Sequence, residues 1–175
     1  MITVAVLTLS DKGSRGERED LSGPLIAGML QGIGAEIRYS EILPDEKELI
    51  RERLVEYAGK VDLILTTGGT GLSPRDVTPD ATREVIDREI PGISEAMRAE
   101  GMKKTGRAML SRAVAGVKGR ALIVNLPGSP KAVKENLGVI LEVLSHAVEK
   151  IKGDTSECAR DEDRDGEQPA KAGKM

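Results

Sequence analysis

The chain of 175 residues holds no Phe, no Trp, one Cys, one His and two Tyr. Each shortage closes a class of functions. With only Tyr39 and Tyr57 as rings, the core has to be aliphatic, and the stacking platforms of single-strand nucleic-acid binders are missing. The lone Cys158 forbids disulfides within the chain and thiolate metal clusters. The lone His146 sits inside a long amphipathic stretch and reads as a helix position. The want of a second His or clustered Cys argues against a zinc site, and no nucleophile elbow supports a Ser-His-Asp triad. No apolar run is long enough to span a membrane. The N-terminus lacks the basic start and unbroken apolar region of a signal peptide, so a cytoplasmic location is expected. Basic excess is absent too. Net charge is −3, and from Gly153 onward seven acidic residues face four basic ones, while the body before it holds 22 of each sign. A neutral body offers no broad face to nucleic acid.

What is present is a regular alternation. Ile2–Leu9 is β-branched and apolar, as in a strand buried on both faces. A polar loop, Ser10 to Gly16, follows, and then a helix from about Asp20 to Gly32 with Pro24 in its first turn. Ala35–Leu43 reads as a second strand, Glu46–Ala58 as a helix and Val61–Thr66 as a third strand. Short helices are expected over Asp80–Arg88 and Ile93–Lys104. Ser111–Val117 and Ala121–Asn125 read as two strands joined by Lys118-Gly119-Arg120, a hairpin that makes one edge strand antiparallel. A last helix runs to about Lys152. The pattern is an α/β fold with a mostly parallel sheet covered on both sides. Residues 1–152 form one domain on this reading. Residues 153–175, charged and poor in apolar side chains, are expected to be a disordered tail.

Four loops leave their strands at one edge of that sheet: Ser10–Gly16, Leu43–Glu46, Gly68–Asp76 and Asn125–Ser129. Ligands of open α/β sheets bind at the carboxyl ends of the parallel strands. Gly68, Gly69 and Gly71, with Thr70 between them, make a turn where backbone can approach a phosphate, or simply a tight turn. The turn is neither a P-loop nor a dinucleotide fingerprint. Asp76 suits a metal ligand beside it, or a surface acid paired with Arg75 or capping a helix. Asp45 could share Mg²⁺ with Asp76, or cap the helix that begins at Glu46. Ser10 and Asp11 offer anion contacts or a turn cap. Arg112, after Ser111, could clamp a phosphate or sit in solvent. Pro127, Gly128 and Ser129 open the last helix, whose N-terminus favours an anion or needs only its cap.

Five ordered motifs carry a family resemblance: Ser10–Pro24 (SDKGSRGEREDLSGP), Ile42–Glu46 (ILPDE), Thr66–Gly71 (TTGGTG), Arg75–Thr82 (RDVTPDAT) and Asn125–Glu135 (NLPGSPKAVKE). Together they resemble the MogA/MoaB proteins of molybdenum-cofactor biosynthesis, a domain shared with a plant cofactor-assembly protein and with gephyrin. The resemblance implies a three-layer α/β/α sandwich. It implies Mg²⁺- and ATP-dependent transfer of AMP to the terminal phosphate of molybdopterin, in a homotrimer that passes its product to a molybdate-insertion partner. It makes Asp45 and Asp76 the catalytic, Mg²⁺-linked pair and Gly68–Gly71 the nucleotide-phosphate turn. Ser10, Asp11, Ser111, Arg112, Pro127, Gly128 and Ser129 become ligand-site residues. The alternative is a non-catalytic MoaB-like molybdopterin-binding or scaffold protein.

Overall fold

Alternation along the central strands sets the layers. A computed structural model of the chain describes residues 1–153. Its elements are β1 (Ile2–Leu9), α1 (Asp11–Ser14), α2 (Ser22–Gln31), β2 (Ala35–Leu43), α3 (Lys47–Ala58), β3 (Leu63–Thr67), α4 (Thr78–Val85), β4 (Arg88–Glu89), α5 (Pro91–Met102), β5 (Ala115–Lys118), β6 (Ala121–Leu126) and α6 (Pro130–Ile151). Successive side chains of a strand point to opposite faces. Val4 and Val6 of β1, Leu63 and Leu65 of β3, and Leu122 and Val124 of β6 therefore share one face, packed under α2, α5 and α6. Ala5, Leu7, Ile64 and Ile123 take the other, under α3 and α4. The result is the expected three-layer sandwich.

The sheet order is β2-β1-β3-β6-β5-β4. β2, β1, β3 and β6 are parallel, and β5 runs antiparallel to both its neighbours. The chain moves outward from β1 to β2, then crosses back to β3 on the other side of β1. The order therefore reverses between β1 and β3, and a crevice opens there at the carboxyl ends.

Several boundaries differ from the sequence reading. The helix expected over Asp80–Arg88 spans Thr78–Val85 instead, because Ile86 turns extended. Arg88–Glu89 then pairs with β5, so a two-residue strand lies outside the antiparallel one. The strand expected from Ser111 begins at Ala115, after a 3-10 turn over Gly106–Leu110. Asp11–Ser14, expected as loop, is one helical turn capped by Ser10, whose side chain accepts from Gly13 N–H. Asp45 does not cap α3: Glu46 occupies that position, and no side chain caps it. From residue 154 on, the expected disordered tail lies outside the described residues.

Candidate functional site

The glycine turn is built by close approach. Gly68 and Gly69 have φ of 104° and 64°, values that L side chains adopt only with strain. A Cβ on Gly68 would run into the Leu9 carbonyl oxygen, and one on Gly69 would meet the Thr78 hydroxyl and lie 3.2 Å from Asp45 Oδ1. The bare backbone thus lets the end of β3 lie against the end of β1 and lets Asp45 draw near.

A buried polar ladder supports the turn from beneath. Thr78 Oγ1 donates to the Gly68 carbonyl (2.9 Å), and Thr82 Oγ1 donates to the Thr78 carbonyl (2.9 Å). Asn125 Nδ2 donates to Thr66 Oγ1 (3.0 Å) and Thr82 Oγ1 (2.9 Å), while its Oδ1 accepts from Val114 N–H (3.2 Å). Each unmet buried polar group would cost about 1–3 kcal/mol, so a satisfied ladder fixes the turn's position. Thr67 Oγ1 donates to the Pro127 carbonyl (2.7 Å), and Ser22 Oγ donates to the Gly128 carbonyl (2.9 Å). These bonds tie the loop before α6 to β3 and to the start of α2.

The acids behave differently from one another. Asp45 is half-buried. Its Oδ2 accepts from Asp11 N–H (3.1 Å), and its own N–H donates to Asp11 Oδ1 (3.0 Å). Burial pushes its carboxyl above the ordinary carboxylate range, and the charges of Asp11 and Asp76 add to this against the Asp11 N–H bond. Asp76 Oδ2 accepts from Ser73 N–H (2.8 Å). Arg75 does not pair with Asp76. It grips Asp11 through Nε (3.0 Å) and Nη2 (2.7 Å), which helps hold the Asp11 carboxyl below its usual value.

A cavity of about 570 Å³ opens at the crevice, lined by Ser10, Asp45, Gly68, Gly69, Asp76, Gly128 and Ser129. Across the glycine turn lies a second one of about 270 Å³, lined by Thr70, Gly71, Ser111 and Pro127 together with Arg98, Arg107 and Asn136. Gly68 and Gly69 of the turn line the larger cavity, and Thr70 and Gly71 line the smaller. Asp11 and Arg112 line neither. Arg112 donates through Nε to the Gly71 carbonyl (2.9 Å), through Nη1 to the Asp80 carboxylate (3.1 Å), and through Nη2 to the Asp76 carbonyl. It holds the Gly68–Asp76 loop by its backbone.

Sequence reasoning missed Thr8, Arg18, Asp20, Ser22 and Thr67 in the larger cavity. One signal was available for Asp20. An acid two residues before Ser-Gly-Pro meets the first N–H groups of a helix, and Asp20 Oδ1 indeed accepts from Ser22 N–H (3.0 Å) and Gly23 N–H (2.9 Å).

Comparison with known proteins agrees with this architecture. A family model described as "Probable molybdopterin binding domain" matches residues 5–146. Molybdopterin adenylyltransferase of Helicobacter pylori (strain J99) is 40% identical, with 89% of that protein and 87% of this chain covered. The molybdenum cofactor synthesis protein cinnamon of Drosophila melanogaster is 44% identical over 89% of this chain, which spans only 26% of that longer protein. The crystal structure of the molybdopterin biosynthesis enzyme MoaB from Thermus thermophilus superposes with a TM-score of 0.83 at 52% identity, covering 88% of this chain and 98% of that one. The chain therefore belongs to the molybdopterin-binding domain family of molybdenum-cofactor biosynthesis.

Proposed function

We propose that the chain is a molybdopterin adenylyltransferase. It transfers AMP from ATP to the terminal phosphate of molybdopterin, giving adenylyl-molybdopterin and pyrophosphate. One observation carries the reading: two cavities are lined by successive halves of the glycine turn, and the larger one holds a half-buried, raised carboxyl together with a second acid. Two substrates that must bring phosphates together need adjoining compartments of this kind. The activity for which the Helicobacter relative is named supports the same chemistry.

The donor set fits Mg²⁺. That ion takes one or two protein carboxylates and completes its shell with water and phosphate oxygens. Asp45 and Asp76 supply two carboxylates to one cavity, and the burial that raises Asp45 is what a bound cation would offset. When bound there, the ion screens phosphate charge and polarises the leaving pyrophosphate. Ser10, Gly68, Gly69, Gly128 and Ser129 hold phosphate oxygens in the larger cavity. Thr70, Gly71, Ser111 and Pro127 bound the smaller one. A phosphate oxygen of molybdopterin attacks the α-phosphorus, a new P–O–P link forms, and the bond to pyrophosphate breaks. The attacking oxygen is already ionised, so no general base is required. Positioning and charge stabilisation account for the catalysis.

The same reading includes a homotrimer, a cytoplasmic location and a protein partner that inserts molybdate. Exposed Met102, Met109 and Leu110, close in sequence around the 3-10 turn, offer apolar surface to a second copy. No helix among the described residues is long and apolar enough to cross a membrane. The test of the function is pyrophosphate release from ATP with molybdopterin and Mg²⁺. Wild type should turn over, and Asp45→Ala and Asp76→Ala should not. Normal turnover in both variants would remove the metal role, and a wild type that binds molybdopterin without forming product would favour a scaffold.

A further inference from the structure

Arg75 and Asp11 lie in two different loops of the carboxyl edge. Arg75 immediately precedes Asp76 in the loop after β3, and Asp11 opens the single turn after β1. The guanidinium meets both carboxylate oxygens of Asp11, at 3.0 and 2.7 Å. Asp11 in turn holds Asp45 at two points. Its N–H donates to Asp45 Oδ2 at 3.1 Å, and its Oδ1 accepts the Asp45 N–H at 3.0 Å. Asp11 does not line the larger cavity, whereas Asp45 and Asp76 both do. The chain of contacts thus runs from the loop carrying Asp76, through Arg75 and Asp11, to Asp45.

We propose that the Arg75–Asp11 pair is a strut that fixes Asp45 against Asp76, making Asp11 and Arg75 positioning residues for the divalent-cation site. The inference rests on the adenylyl-transfer reading above and deepens it. Two like charges must face one cavity before any cation arrives: the Ser73 N–H holds the Asp76 carboxylate, and the Asp11 N–H holds that of Asp45. A planar guanidinium gripping a carboxylate through two parallel bonds sets distance and angle together, which a lysine does not do. The reciprocal Asp11–Asp45 bonds then pass that constraint to the Asp45 backbone and to one of its two oxygens. Partners that orient metal ligands commonly change metal affinity by roughly 10–100-fold when removed.

A plain surface ion pair is the competing account. The Arg75 side chain is 58% exposed and that of Asp11 28%, and pairs of that exposure add little to folding stability. The two accounts therefore part cleanly. A strut moves cation affinity and leaves the melting temperature alone, whereas a surface pair moves neither.

The experiment titrates Mn²⁺, read by the electron paramagnetic resonance of the free ion, into the full chain with a non-hydrolysable ATP analogue. Wild type is compared with Arg75→Met, Asp11→Asn, the double variant and Arg75→Lys. Arg75→Met and Asp11→Asn should each weaken Mn²⁺ binding about 10-fold. The double variant should be no weaker than the worse single one, because the two residues act as one unit. Arg75→Lys should fall between wild type and Arg75→Met. Melting temperatures should stay close to wild type, and the apparent Mg²⁺ requirement for AMP transfer should rise in step with the loss of Mn²⁺ affinity. Unchanged affinities, fully additive losses in the double variant, or a loss that follows melting would overturn the strut. A wild type that binds Mn²⁺ with nucleotide but transfers no AMP removes only the function reading. A wild type that binds no Mn²⁺ overturns both.

Discussion

Asp45 and Asp62 sit at opposite ends of the same sheet, and they hold their charges by opposite means. Asp62, at the amino edge, is half-buried and fully partnered. It accepts from Thr3 N–H (2.9 Å) and Thr3 Oγ1 (2.9 Å), and its other oxygen meets Lys152 Nζ at 2.7 Å. Burial alone would raise its carboxyl, but Lys152 and the Thr3 bonds outweigh it and hold it below the ordinary range. Asp45, at the carboxyl edge, has its carboxyl raised chiefly by burial and further by the charges of Asp11 and Asp76, against the Asp11 N–H bond and the Arg75 charge. One acid stabilises the fold. The other has a raised carboxyl, as groups at functional sites often do.

The largest effect that sharpens this contrast is on rate. Asp45→Asn or Asp76→Asn should lower the rate of pyrophosphate release by about 100-fold or more, the scale on which a preorganised charge-stabilising group acts. Asp62→Asn should leave that rate within a factor of about two, since a change far from the chemistry removes no transition-state interaction. Equal losses at both edges would break the contrast.

Next comes a comparison of two glycines. Gly68 and Gly119 both have positive φ, 104° and 57°. A Cβ on Gly119 has nothing within 4 Å, whereas one on Gly68 meets the Leu9 backbone. Gly68→Ala should cost about 2–4 kcal/mol and lower Tm by roughly 5–15 °C, with AMP transfer lost as β1 and β3 are pushed apart. Gly119→Ala, in the β5–β6 hairpin, should cost only about 1–2 kcal/mol and keep activity. Thermal melts paired with the pyrophosphate assay check both.

Stability at the amino edge follows. Asp62→Ala removes three bonds and should cost about 1–3 kcal/mol, a Tm loss of roughly 2–10 °C. The sign with pH follows from the lowered carboxyl. Its stabilisation is complete above the unfolded carboxylate value and is lost as pH falls through the folded one. The Tm gap between wild type and Asp62→Ala should therefore close on acidification. A gap that stays constant through the acid range would mean that the charge contributes nothing.

How much of this was legible beforehand varied with sequence distance. β1, β3 and the glycine turn could be read because each is a local pattern, an apolar run or a cluster of small residues. Four converging loops followed from strand alternation alone, and the crevice lies where they converge. β4 could not be read, since two residues become a strand only when β5 lies beside them. Arg112 had two readings, phosphate clamp or solvent. Its bonds to Gly71, Asp76 and Asp80 reach far along the chain, and no local pattern announces them. Asp62 carried no signal at all, because its partner Thr3 belongs to a different strand. Asp45 was legible as an acid after a strand and Asp11 as a turn acid after another, but the bonds between them were not.

The smallest effect tests the contrast most directly, because it asks for a gain. A carboxyl whose folded value is raised favours folding only below the unfolded value, and that contribution is lost as pH rises through the folded one. Above its folded value Asp45 therefore opposes folding, where Asp62 supports it. Asp45→Asn keeps an oxygen for the Asp11 N–H and removes the repulsion from Asp11 and Asp76. With divalent ions chelated, it should melt about 1–3 °C above wild type at neutral pH. The advantage should shrink on acidification, as wild-type Asp45 takes up its proton. Added Mg²⁺ with nucleotide should reverse the order, since only wild type gains a ligand bound to the native state. A variant less stable than wild type at neutral pH in chelator would mean that Asp45, like Asp62, is there for the fold.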